Sequence, residues 1–203
     1  MKKSLINPMF PTSLIASGLL IAAFWLLTYP FEGFAGAEVS THALFIPGQY
    51  LHLIGAIMGV VGYFGLYLTL RDSAGGLAFP AAFIAIVGMT LFAADAVIAL
   101  VIFPTLAAHA PSLLDAAGPM FTGRVLMFYI ICYATHMTGI VLLSALMLLY
   151  NRVTITGICA FLLGGIAMNL PPIPGMHWIA ILGGVLFGFG LLMIGLALLK
   201  RGQ

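Results

Sequence analysis

Histidine is the side chain here best suited to chemistry, and the chain has five. Two of them open the same short pattern: His52-Leu53-Ile54-Gly55 and His136-Met137-Thr138-Gly139. A neutral imidazole nitrogen is a good ligand for iron, copper or zinc. Residues three apart share a helix face, so each glycine would leave room beside its imidazole. Two such histidines on separate helices could hold a haem b from opposite faces, with Gly55 and Gly139 making space for the macrocycle. Arg124, on the same run as His136, would pair with haem propionates as arginine does with carboxylates. Tyr50, Phe64, Phe92, Phe128 and Met137 would wall the site. The plainer alternative is that each imidazole hydrogen-bonds a neighbouring helix.

Asp95 is the one carboxylate deep in an apolar run. A charged carboxylate alone in hydrocarbon costs several kcal/mol, so it must be protonated, paired or wet. His136 and Arg124 are candidate partners. Its roles could be proton transfer, metal ligation or orienting a ligating imidazole. His177, in His177-Trp178-Ile179-Ala180, opens the last run and could replace either haem ligand. With His52, His136 and Asp95 it could instead hold zinc, copper or non-haem iron and activate a bound water. His42, His109, Glu32, Glu38 and Asp115 read as solvated loop residues, because no two histidines have ligand spacing. Cys132 and Cys159 lie at different depths and read as small buried residues, not a disulfide.

The elements that carry these groups follow from composition. Of 203 residues, 63% are hydrophobic and 6% charged, with a net charge of +2. A soluble domain is ~25% charged, so a soluble enzyme, a nucleic-acid binder and a disordered chain are excluded. Lipid is the solvent, and long unbroken apolar runs select helices over barrel strands. A span needs ~20 apolar residues. Six runs qualify or nearly so: about 12–30, 48–70, 78–104, 120–150, 153–169 and 177–199. The expected fold is all-α, one polytopic membrane domain over 1–203, a bundle of six transmembrane helices that could be three related hairpins. Gly55-x3-Gly59 and Gly184-x3-Gly188 read as close-packing motifs. Trp25, Tyr29, Tyr50, Tyr129, Tyr150 and Trp178 read as an interfacial belt. Ser112-Leu113-Leu114-Asp115 resembles the start of a short surface helix.

Basic residues set the orientation. With both termini cytoplasmic, Lys2, Lys3, Arg71, Arg152, Lys200 and Arg201 fall inside and Arg124 alone falls outside. The first run is too long for a signal core, despite the Ala35-Gly36-Ala37 sequence, and reads as a retained helix. Counting from the basic markers puts His52 about 28 Å and His136 about 24 Å up, in the outer third of the membrane. Asp95 falls at a similar height, and no ionisable group follows below, which disfavours an ion or proton path.

The chain resembles small bacterial membrane cytochromes in carrying histidines on several spans. It lacks the four paired intramembrane histidines that two-haem proteins of the b561 type need. The expected function is a single-haem protein of the bacterial inner membrane. It would exchange electrons with a quinol or a periplasmic carrier, or sense a small gas. The alternatives are an outer-facing metal-dependent enzyme and a non-catalytic subunit of a larger complex or homo-oligomer.

Overall fold

The computed structural model describes residues 7–28, 36–150, 153–170 and 176–202. Lys2, Lys3, Tyr29, Glu32, Ala35, Arg152 and the proline-rich stretch 171–175 lie outside the described residues. The described chain is helical: α1 (Met9–Leu27), α2 (Ala37–Thr41), α3 (Phe45–Ala74), α4 (Ala78–His109), α5 (Gly123–Tyr150), α6 (Ile155–Met168) and α7 (His177–Gly202). Four helical stretches are long and apolar enough to cross a membrane: Met9–Leu27, Phe45–His109, Gly123–Tyr150 and His177–Arg201. The second of these contains both α3 and α4, joined by a 3-10 turn at Gly75–Leu77 where Gly75 takes a φ of 54°. The α6 helix, with 14 residues, is shorter.

The helix ends differ from the sequence reading in instructive ways. Pro104 does not end α4, which runs on to His109. The missing backbone donor of a proline is tolerated where neighbouring helices shield the freed carbonyl. The short surface helix expected at Ser112–Asp115 is a 3-10 helix that begins one residue earlier. It covers Pro111–Leu114 and closes with Asp115 in extended backbone, and Pro119 opens a second such turn over Pro119–Phe121.

Antiparallel packing of sequence neighbours builds the core. Helix α1 lies against α3, α3 against α4, α4 against α5, α5 against α6, α6 against α7, and α7 returns to α1. The closeness of the helices comes from glycine. Gly18 of α1 meets Gly188 of α7 backbone to backbone, and a methyl on Gly59 would lie 2.7 Å from Met89 of α4. Without a hydrophobic drive between spans, such contacts supply much of the association. The Gly55/Gly59 and Gly184/Gly188 motifs therefore act as read from the sequence.

Trp25 does not join an interfacial belt. It is 5% exposed and packs on Gly184. Tyr129 is also buried, whereas Tyr50 and Trp178 are exposed near helix ends. Cys132 and Cys159 are both free, Cys132 buried and Cys159 turned outward. A second apolar cluster of Phe45, Ala99, Phe103 and Leu114 seals the end of the molecule that carries α2. The opposite end carries Arg71, Lys200 and Arg201 and is called the basic end below.

Candidate two-histidine site

His52 and His136 are both buried in the core, and both rings pack against one phenyl ring, that of Phe92. His52 on α3 is 2% exposed and His136 on α5 is fully buried. The His52 ring stacks on Phe24 of α1, with centroids 4.4 Å apart. It also meets Phe92 of α4 at 4.5 Å, edge to face. The His136 ring lies 4.8 Å from the same Phe92 and 5.6 Å from Phe187 of α7. Helices α3 and α5 touch directly at places, although α4 separates them in sequence.

Hydrogen bonds assign a tautomer to each ring. Gln49, one turn before His52, places its Oε1 atom 3.4 Å from His52 Nδ1. An amide oxygen only accepts, so in this arrangement the bond forms with the proton on His52 Nδ1, which leaves the Nε2 lone pair free. Asn169 ends α6 and donates from Nδ2 to the Gly165 carbonyl at 2.6 Å. That bond fixes which end of the amide is which. The same Nδ2 faces His136 Nδ1 at 3.5 Å. His136 Nδ1 must then accept, so its proton sits on Nε2. The two rings are complementary, one offering an acceptor and the other a donor. Both Nε2 atoms, and Asn169 Oδ1, are buried without a partner among the described residues.

The space expected for a macrocycle is filled. A methyl on Gly55 would lie 3.0 Å from Ile21 and 3.2 Å from Leu20 of α1. Gly139 rests on the backbone of Ala85, and Gly88 on the backbone of His136. These glycines admit neighbouring helices. Of the expected walls, Tyr50 and Phe64 face outward and only Phe92 touches the imidazoles. With Phe92 packed against both rings and both glycines covered by neighbouring helices, the described side chains fill the space that a porphyrin ligated by both histidines would need.

The remaining candidates lie apart. Arg124 is exposed at the start of α5, twelve residues or about 18 Å from His136. His177 begins α7, ten residues or about 15 Å from the Phe187 that touches His136. Asp95 lies near Tyr129, Cys132 and Tyr133 of α5. Neither His136 nor Arg124 pairs with it, since Arg71–Asp72 at 3.4 Å is the one ion pair among the described residues. His136 packs at the level of Gly88, seven residues or about 10 Å along α4 from Asp95. His109 is bonded to its own helix through the Thr105 carbonyl, 3.0 Å from Nδ1. His42 accepts from the Leu44 amide at 3.2 Å. Among the described residues, no three His, Cys, Asp or Glu side chains are grouped to hold a metal ion.

Gln49 and Asn169 are the site residues that the sequence reading missed, whereas Phe92 was expected there as a wall. The spacing of three between Gln49 and His52 was a usable signal, because such pairs meet on a helix face. Asn169 was visible only as part of a helix-breaking stretch. Comparison of the chain with protein families, with curated proteins and with solved structures finds no match.

Proposed function

We propose that the chain is a six-span protein of a bacterial inner membrane, with both termini cytoplasmic, that serves as a non-catalytic membrane component. Its buried histidines tie helices together. The orientation rests on Arg71, Lys200 and Arg201 at one end against Arg124 at the other. Large apolar side chains such as Leu149, Val101 and Leu182 face outward as lipid contacts. Helix α5 has the smallest buried share of the apolar stretches, 28%, and is therefore the natural seat for a partner subunit or a second copy.

One observation carries the histidine reading: the bonds from Asn169 to His136 and from His52 to Gln49 run in the same donor-to-acceptor sense. We take the chain to continue from His136 Nε2–H to His52 Nε2 through buried water, since neither atom has a partner among the described residues. A buried water needs two to four polar partners, and the two Nε2 atoms would supply two. The completed chain joins α6, α5 and α3 inside the bilayer. Interhelical hydrogen bonds there are worth about 0.6–2 kcal/mol each. Both ends of the chain, Gln49 and Asn169, lie toward the α2 end, so it offers no route across the membrane.

A second reading has its own support. An imidazole whose Nδ1–H is held by an acceptor and whose Nε2 is free has the form of a metal ligand. His52 has that form. It could ligate copper, zinc, non-haem iron or a haem, with a quinol or a periplasmic carrier as electron partner. His136 would join only after Asn169 turned its amide and gave up the Gly165 bond.

A double-mutant cycle separates the readings. His52→Leu and His136→Leu each strand the other imidazole, whereas the double variant strands neither. We expect the double variant to be about 1 kcal/mol more stable than the sum of the single losses, measured by unfolding in detergent. Additivity within about 0.3 kcal/mol would contradict the hydrogen-bonded chain.

A further inference from the structure

The α6 helix stops short at the basic end, and α7 does not. Gly157, near the start of α6, lies beside Met193 and Ile194 of α7. From that level α7 continues for eight residues to Gly202, while α6 begins only two residues earlier, at Ile155. The overhang is about 9 Å. The recess so formed has a volume of about 680 Å³ and is lined by Val153, Thr154 and Ile155 on one side. Met193, Leu196, Ala197, Lys200 and Arg201 line the other.

The α7 residues fall at spacings of three and four, so they form one stripe along the helix. The stripe is apolar where it runs into the span and cationic at its outer end. Lys200 and Arg201 are exposed, and neither has a carboxylate partner among the described residues. A stripe of this polarity beside a short helix complements a molecule with an anionic head and an apolar tail. We propose that this recess is a binding site for an acidic phospholipid of the surrounding bilayer. The phosphate sits on Lys200 and Arg201, and one acyl chain runs along Leu196, Ala197 and Met193 past Ile155. Cationic recesses between helices at the cytoplasmic face recognise head groups by this combination. The site is independent of what the two histidines do.

The test reconstitutes the full chain in nanodiscs of phosphatidylcholine with a minority of phosphatidylglycerol, extracts it in mild detergent and counts retained lipid by native mass spectrometry. The K200Q/R201Q double variant is expected to retain about 25-fold less phosphatidylglycerol, from roughly fivefold per cation near the surface. Ala197→Trp keeps both cations but fills the tail groove, and is expected to lower retention as well. Arg71→Gln removes a cation at the same end outside the recess and should leave retention unchanged. Three results would overturn the proposal. They are wild-type retention in the double variant, an equal loss in Arg71→Gln, and displacement of the lipid by inorganic phosphate, which marks a site for free phosphate. The unfolding midpoint of each variant shows whether a loss reflects the site or the fold.

Discussion

Alanine in place of Gly139 is expected to destabilise the protein by about 1–3 kcal/mol, the usual cost of forcing extra volume into a packed core. Helix propensity alone predicts the opposite sign, because alanine is favoured over glycine in a helix by about 1 kcal/mol. Packing decides. A methyl at Gly139 would lie 2.6 Å from the Ala85 backbone nitrogen and 2.8 Å from the Ala85 Cβ. Backbone cannot rotate away as a side chain can, so α4 and α5 must separate. That separation would also shift His136, whose own backbone rests on Gly88 of α4. The matched control is Gly76→Ala. No atom lies within 4 Å of a methyl there, and its unfolding midpoint should stay at the wild-type value. A neutral Gly139→Ala would show that α4 and α5 are not in this register.

Phe92→Ala is expected to cost about 3–5 kcal/mol. The ring is 2% exposed and touches His52, His136 and Tyr133. Its removal leaves a void flanked by two imidazoles and withdraws the contact that holds both rings. Phe92→Leu keeps most of the volume and should cost less than about 1.5 kcal/mol. Phe64→Ala is the comparison on the outer surface. Phe64 is 46% exposed, so its loss in detergent should be a small fraction of the Phe92 value. If the Phe92 and Phe64 truncations cost the same, Phe92 is not packed in the core against the histidines.

The sequence spoke clearly about solvent and helices and poorly about who faces whom. Runs such as 177–199 and 120–150 announce themselves because hydrocarbon demands length and apolarity. The structure adds α2, too short and polar to show a period, and it carries α4 through Pro104. At the site, His52 and His136 were legible because imidazoles are rare in such runs, and their meeting followed from equal depth. The role of the glycines was not legible. Gly55 and Gly139 lie one turn from the histidines in either case. Whether the space admits a macrocycle or another helix depends on Leu20, Ile21 and Ala85, which are distant in sequence. Asp95 and His177 were drawn into the site by depth and type alone. Rotation about the helix axis places Asp95 toward Tyr129 and Tyr133, and ten residues of α7 keep His177 from His136.

Elemental analysis of the full-length protein reaches the central claim most directly. The protein is purified in mild detergent from cells supplied with iron, copper, zinc and a haem precursor. If the two imidazoles serve to join α3, α5 and α6, iron, copper and zinc will each fall far below one equivalent per chain, in the wild type and in the His52→Leu/His136→Leu variant alike. One equivalent of any of these metals in the wild type, lost from the variant, would contradict the account and make the histidine pair a cofactor centre.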